Sequence, residues 1–488
     1  MATIDEIRKN RIRKLKRIRM SGSNPYPIKV KRTHSCEEAL RSFSKISKSE
    51  EQIILVGRIR AIRIHRKFTF MNIEDGTKSI QIFLREKGIG EKGYDFYLEN
   101  FDVGDFVEVK GSLFMTKKDE KTLEVSSMKM ISKSILPLPE KWHGLKDEES
   151  RFRKRYLDIL FNPEVKDMIK KKSIFWNSMR KFLINEGFLE VETPVLETTT
   201  GGADAMPFKT HHNALDIEVY LRISMGELWQ KKLMVAGFEK TFEIGRQFRN
   251  EGVSVEHLQD YTQMEFYWAY ADHKKGVKLV ERLYKSVIKE TFGTLKFTIR
   301  GFEVDFSKKW EIYDYSTIIS QKTKIDISQA TLSEMKKALD KLSVKYNKKG
   351  FNRVRAIDTL WKYCRKNIGG PGFLINLPVE VSPLAKRNEK NPDTVARFQV
   401  IIGGSEIGNG YSELNDPIDQ AERFSEQEKL RSDGDEEAQM FAHEFIEALE
   451  YGMPPTCGFG VSERLFSFLM DKPIRECQIF PLMKPDKK

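Results

Sequence analysis

The sequence predicts an α+β protein: a small closed β-barrel, then a larger domain with a mostly antiparallel sheet flanked by helices. Three observations carry this. Five short β-like runs separated by turns fill Gln52–Ile131. Helical periodicity then returns at Val165. Beyond Phe188 strands and helices mix without strict βαβ alternation, which disfavours a parallel doubly wound sheet.

The 488 residues, 40% of them hydrophobic, suffice for two or three cores. The formal charge of +13 favours a polyanionic partner. Cys36, Cys364, Cys457 and Cys477 show no CxxC spacing, so a zinc site or disulfide framework is not expected and a reducing cytoplasm fits. Neither a membrane-length apolar run nor a signal peptide is present.

The chain opens on "RKNRIRKLKRIR", Arg8–Arg19, with eight basic residues and no acid. Ile4, Ile7, Leu15 and Ile18 share one face, which predicts a basic helix docked by an apolar stripe. "SGSNPYP" then breaks it. The barrel runs are "IILVGRIRAIRI", "KFTFMNIED", "SIQIFL", "DFVEVKGSLFM" and "LEVSSMKMI". Five strands in this span suit a barrel of the OB type, with an SH3-like barrel as the alternative. Phe68 and Phe70 share a face near Arg60, Arg63, Arg66 and Lys67, a pattern suited to stacking on unpaired bases. "LPLPEKWHGLKDEE", Leu136–Glu149, reads as a linker, giving domains at 1–145 and 146–488. Val165, Met168, Ile169, Phe175, Met179, Phe182 and Leu183 mark one helix face, ending near Gly187, and a strand "FLEVETPVL" follows. A Lys-rich insertion without a motif occupies about 320–370. No GxxxxGK[ST] loop and no helix-opening GxGxxG occurs, which disfavours the common nucleotide folds.

Three clusters carry chemistry. In "FRNEGVSVEHLQDYTQMEF", the runs ending at Glu251 and starting at Asp260 read as strands, with Arg249 and Glu251 sharing a face of the first. Tyr261, Gln263, Glu265 and Tyr267 share a face of the second by the period of two, and the loop adds His257. In "RFQVIIGGSEIGNGYSELNDP", Asn409, Tyr411 and Glu413 alternate after Glu406. "PPTCGFGVSERLFSFL" is glycine-rich and leads into a helix with Arg464 near its start, a setting that attracts phosphate.

Together these resemble the three signature motifs of class II aminoacyl-tRNA synthetases. The first corresponds to the Val165–Gly187 helix and the strand ending at Pro194, the second to "FEIGRQFRNE…HLQDYTQMEF", the third to "GFGVSERL". The fit is closest to the class II lysyl-tRNA synthetases, through "TTTGGADAMPFKTHHNALD", "SEIGNGYSELNDPIDQAERF" and "EALEYGMPPTCGFG". The resemblance covers nearly the whole chain. It implies a class II catalytic domain, ATP, L-lysine and tRNA(Lys) as partners, Mg2+ as cofactor, and a cytoplasmic homodimer built on the first motif. Lysine attacks the α-phosphate of ATP, and the acyl group then passes to the terminal ribose of tRNA.

The resemblance also implies residue roles. Arg249 and Arg464 are the catalytic arginines and bind ATP with Glu251, His257, Tyr261 and Glu406. Gly202, Arg249, Glu265, Tyr267, Asn409 and Tyr411 line the lysine site, with Glu227 on the α-amine and Glu413 on the ε-amine. A diammonium substrate needs one anion for each charge, because an unpaired desolvated charge is costly. In the barrel Phe70, Gln81, Glu120 (with Glu124 as a second candidate) and Arg58 match the family's anticodon contacts. Three departures stand out. "RISMGELW" is one residue long, "GFGVSER" is one residue short, and Gln399 stands where the family generally has a second metal-binding glutamate beside Glu406. A protein-modifying lysine ligase would lack the barrel, and an inactive tRNA- or RNA-binding paralogue would not need the retained arginines and acids.

Overall fold

The computed structural model describes residues 3–49, 51–139, 147–203, 205–347, 351–432 and 440–485. The chain divides into two compact units, Met1–Lys146 and Asp147–Lys488. The expected linker lies partly outside the described residues.

The first unit begins with a helix, Ile4–Met20, whose Thr3 and Glu6 form a capping box. Its docking differs from the expected apolar stripe. Ile18 is buried, but Ile4 is exposed. Charge supplies much of the contact: the buried Arg11 guanidinium donates to the carbonyls of Val103 and Leu136 (both 3.0 Å), and Lys14 pairs with Asp102 at 2.7 Å. The long stems of Arg11 and Lys14 replace the outer part of the stripe. Five strands follow: β1 Ile53–Ile64, β2 Phe68–Glu74, β3 Ser79–Arg85, β4 Phe106–Met115 and β5 Lys121–Ser132. They close in the order β1-β2-β3-β5-β4. Alternation puts Leu55, Ile59, Met71, Ile73, Ile82 and Val109 inside.

In the second unit helix Pro163–Asn185 starts with proline in its first turn. It ends at Gly187, whose φ of +84° lets Phe188 N–H return to the Leu183 carbonyl at 3.0 Å. The expected strand after it is split. Only β6, Leu189–Glu190, pairs with the main sheet; β7, Leu196–Glu197, joins a small sheet with β8, Lys209–His212, and β9, Ile217–Leu221. Pro194 has no N–H for a ladder, and Thr193 before it bonds the Glu243 carboxylate and the Met225 carbonyl instead.

The remaining strands are β10 Lys240–Phe248, β11 Asp260–Ala269, β12 Lys296–Ile299, β13 Phe302–Asp305, β14 Glu311–Asp314, β15 Gly372–Ile375, β16 Arg397–Ile402, β17 Ser405–Ser412 and β18 Thr456–Ser462. The main sheet runs β14-β15-β16-β17-β18-β11-β10-β6. It is parallel only in its two outermost pairs. Phe242, Met264, Phe266, Phe398 and Phe459 pack one face against helices Pro163–Asn185 and His273–Phe292. A second core gathers helices Tyr315–Thr323, Leu332–Lys341 and Arg353–Arg365 around Tyr315 and Trp361. The last two helices come from the insertion. Among the described residues no helix is long and apolar enough to cross a membrane.

Candidate active site

A cavity of about 390 Å³ opens on the sheet face opposite the long helices. Strand alternation aims Tyr261, Gln263, Glu265 and Tyr267 from β11, and Asn409 and Tyr411 from β17, into it. Between them runs β18, so the glycine-rich stretch is a central strand rather than a loop. The glycines are required there: a Cβ on Gly458 would overlap Glu413 Oε1 and come within 2.8 Å of Tyr267. Gly202 combines a φ of +89° with a Cβ position already filled by the Glu227 side chain.

One end of the cavity is acidic. Glu227, Glu265 and Glu413 are all buried. Burial, with Glu227 nearby, pushes Glu265 up to about 7, against hydrogen bonds from Gln263 (2.5 Å) and Ser224 (3.2 Å). Burial also raises Glu413, and Lys231 pulls it back. The fully buried Lys231 ammonium stands 2.5 Å from Glu227 Oε2 and 2.5 Å from Glu413 Oε2. Burial would lower Lys231, but these two carboxylates raise it, so it stays an ammonium. Tyr411 donates to Glu227 Oε1, and burial keeps Tyr267 and Tyr411 protonated.

The other end is basic. Arg249 and Glu251 lie beyond the end of β10 at Phe248, not on the strand as expected. The ladder stops because the chain there finds other partners: Arg249 N–H bonds the Gln259 carbonyl at 2.8 Å, and Asn250 N–H the Met206 carbonyl at 2.7 Å. The Arg249 guanidinium lies 5.7 Å from the Tyr261 ring centre and donates to the Ile223 carbonyl at 3.3 Å. His257 hydrogen-bonds Ser254 Oγ at 2.8 Å, and burial together with Arg464 lowers its pKa. Arg464 begins the helix Arg464–Leu469 and is held by Glu256, which also pairs with Arg300 at 2.5 Å. Burial alone would raise Glu256, but the two arginines bring it down to about 2.

Glu406 and Gln399 both line this end. Glu406 Oε1 accepts from Trp361 Nε1 at 2.6 Å, and its other oxygen lies 3.3 Å from Arg365 Nε. Both partners come from the insertion. Among the described residues no three metal-ligating side chains cluster. One carboxylate and one amide oxygen fit a magnesium ion only where phosphate oxygens complete its shell.

The region 147–484 matches the family model described as "tRNA synthetases class II (D, K and N)", and 53–131 matches the "OB-fold nucleic acid binding domain". Proteins named lysine–tRNA ligase are 41% identical in three organisms. Those of Thermosipho africanus and Thermotoga maritima align over 99% of this chain and 97% of their own length. That of Roseiflexus sp. aligns over 99% of both chains. The chain belongs to the lysine–tRNA ligase family of class II tRNA synthetases. Its fold class and its family are therefore those the motifs implied.

The residues that the family resemblance singled out for lysine and ATP meet in this one cavity. Those that sequence reasoning missed are Lys231, Glu256, Trp361 and Arg365. The only sequence signal for Lys231 was its spacing of four from Glu227, the separation of about one helical turn.

In the barrel Phe70 is half-buried, with its ring centre 4.8 Å from that of Phe83 and 5.7 Å from that of Phe68. Gln81 is buried: its Nε2 donates to Thr122 Oγ1 at 2.9 Å, and its Oε1 accepts from Arg63 at 2.7 Å. Glu124 faces the same surface, paired with Arg85, whereas Glu120 is exposed in the turn before β5. Arg58 stacks on Phe106, 4.3 Å from the ring centre, further back along β1.

Proposed function

We propose that this protein attaches lysine to tRNA(Lys) through a lysyl-adenylate. One observation carries the reading: a single cavity joins a buried acidic end, Glu227 and Glu413, to an end bearing Arg249 and Arg464. Lysine enters with its two ammonium groups toward the acids, where Tyr267 and Tyr411 supply neutral phenols. This aims the substrate carboxylate at Arg249. The α-phosphate of ATP lies against the same guanidinium, whose planar fork holds both reacting groups and meets the charge that develops between them. The attacking carboxylate is already ionised, so positioning and charge neutralisation replace a general base. Tyr261 and Arg464 cover the adenine, and Glu251 accepts from its amine. His257, of lowered pKa, approaches the phosphates as a neutral donor. Magnesium would be held by Glu406 and the amide oxygen of Gln399, where it would neutralise phosphate charge.

The barrel face of Phe68, Phe70 and Phe83, edged by Arg63 and Gln81, takes the anticodon by stacking. Arg58 and Glu120 are its outer contacts. Exposed Ile174, Ile184, Leu189 and Leu196 on the first-motif helix and its following segments support a homodimer through that region. The protein works in the cytoplasm. Charging of a tRNA(Lys) transcript with labelled lysine tests the reading. Label in acid-precipitable tRNA that depends on ATP supports it; none, with a folded protein, refutes it.

A further inference from the structure

The two carboxylates assigned to the substrate ammoniums are already joined by an ammonium that belongs to the protein. Lys231 sits on helix Gln230–Val235, one turn after Glu227, and its side chain has no solvent exposure. It faces Oε2 of Glu227 and Oε2 of Glu413, both at 2.5 Å. Above it lie the rings of Tyr411 and of Phe445 from helix His443–Glu450, each 5.6 Å from the ammonium. The bridge divides the oxygens by task. Glu227 Oε1 accepts from Tyr411, and Glu413 Oε1 is left beside Gly458, facing the cavity.

We propose that Lys231 is a positioning residue for lysine recognition, tying Glu227 and Glu413 into one preset receptor for a diammonium substrate. The inference rests on the proposed function, in which those acids receive the substrate.

Three buried carboxylates close together cannot all stay ionised unaided. Lys231 is the cation that faces two of them directly. Glu265 and Tyr267 from β11, Tyr411 from β17 and Cys457 from β18 add no positive charge, and Arg397 from β16 acts on Tyr411. Without Lys231 the acid pair takes up a proton at higher pH, and its inward oxygens lose their partner. The receptor then carries less negative charge and less order when lysine arrives. Because the cation is built in, the free protein keeps the pair ready before substrate binds.

The test measures ATP–pyrophosphate exchange from pH 5.5 to 9 with Lys231→Met, Lys231→Arg and Glu413→Gln. For Lys231→Met the lysine KM at pH 7 rises roughly tenfold or more, and the acidic limb of kcat/KM for lysine moves up by about one pH unit. The ATP KM stays within about twofold, since the basic end is untouched. Lys231→Arg returns the limb toward its original position, because the charge is restored. A Lys231→Met protein with unchanged lysine KM and unchanged pH limb overturns the proposal. So does an equal rise in lysine and ATP KM, which marks a purely structural bridge. If Lys231→Met does not fold, Lys231→Gln is read by the same criteria. Glu413→Gln separates the two readings. If it leaves the lysine KM unmoved, the functional reading falls and takes this one with it. If it raises the lysine KM while Lys231→Met does not, only the positioning role falls.

Discussion

Replacing Glu413 with glutamine keeps the shape of the acidic end and removes one charge. In the free protein Glu413 is 2% exposed and pairs with Lys231 at 2.5 Å. The substitution leaves Lys231 with Glu227 as its only close anion among the described residues, and the incoming ε-ammonium meets an amide. Removing one partner of a buried pair costs roughly 3–5 kcal/mol. At about 1.4 kcal/mol per tenfold, that is a rise of roughly two to three and a half orders of magnitude in lysine KM. The ATP KM, set by groups at the other end, stays within about threefold. Steady-state pyrophosphate exchange, varying lysine at saturating ATP and then the reverse, reads both constants. A lysine KM within about threefold of the parent value, in a protein still folded at the assay temperature, would refute the reasoning.

Further substitutions probe the rest of the site. Phe70→Ala lowers tRNA charging by the roughly 1–3 kcal/mol of one base stack and leaves pyrophosphate exchange intact; equal loss in both assays assigns Phe70 to the core. Glu265 has a folded-state pKa raised from 4.5 to about 7 by burial, so its ionisation opposes folding as pH rises from 4.5, fully so above 7. Glu265→Gln therefore stabilises the free protein at pH 8, by at most roughly 3 kcal/mol, and not at pH 4.5; melting curves at the two pH values decide. Glu256→Gln loosens the hold on Arg464 and lowers the ATP KM by roughly threefold or more, about 0.7 kcal/mol or above; a raised ATP KM would show that Glu256 assists binding. Gln399→Glu gives magnesium a second carboxylate and lowers the concentration for half-maximal exchange; superimposable magnesium titrations contradict that.

The barrel was legible strand by strand because each strand has one buried face, and alternation records it. On β1, Ile53, Leu55 and Ile59 point in while Arg58 and Arg60 do not, so a register slip would turn every one of them to the wrong side. The long first-motif helix was legible for the same reason, with glycine marking its end. The errors share a cause, which is that tertiary partners override local pattern. Residues 188–196 look like one strand, yet Thr193 and Pro194 leave the ladder, with Thr193 bonding the Glu243 side chain. The "GFGV" stretch carries no strand alternation in its letters, yet it is a strand whose missing side chains make room for Glu413 and Tyr267. Arg249 and Glu251 look like strand residues because alternation continues in the letters after the ladder has ended. The site was legible through its motifs. Lys231 was not, since "QKKL" reads as an ordinary basic helix turn, and only the fold brings Glu413 from distant sequence to meet it. Trp361 and Arg365 were hidden likewise, in an insertion with no pattern pointing to Glu406.

The central claim is that this cavity activates lysine by recognising both of its ammonium groups. ATP–pyrophosphate exchange with lysine, ornithine, norleucine and each other proteinogenic amino acid tests it most directly. Lysine alone should support strong exchange. Norleucine, which keeps the chain but lacks the ε-ammonium, should support almost none, because it leaves Glu413 facing an apolar methyl group. Exchange with norleucine approaching that with lysine, or exchange with no amino acid at all, would contradict the account.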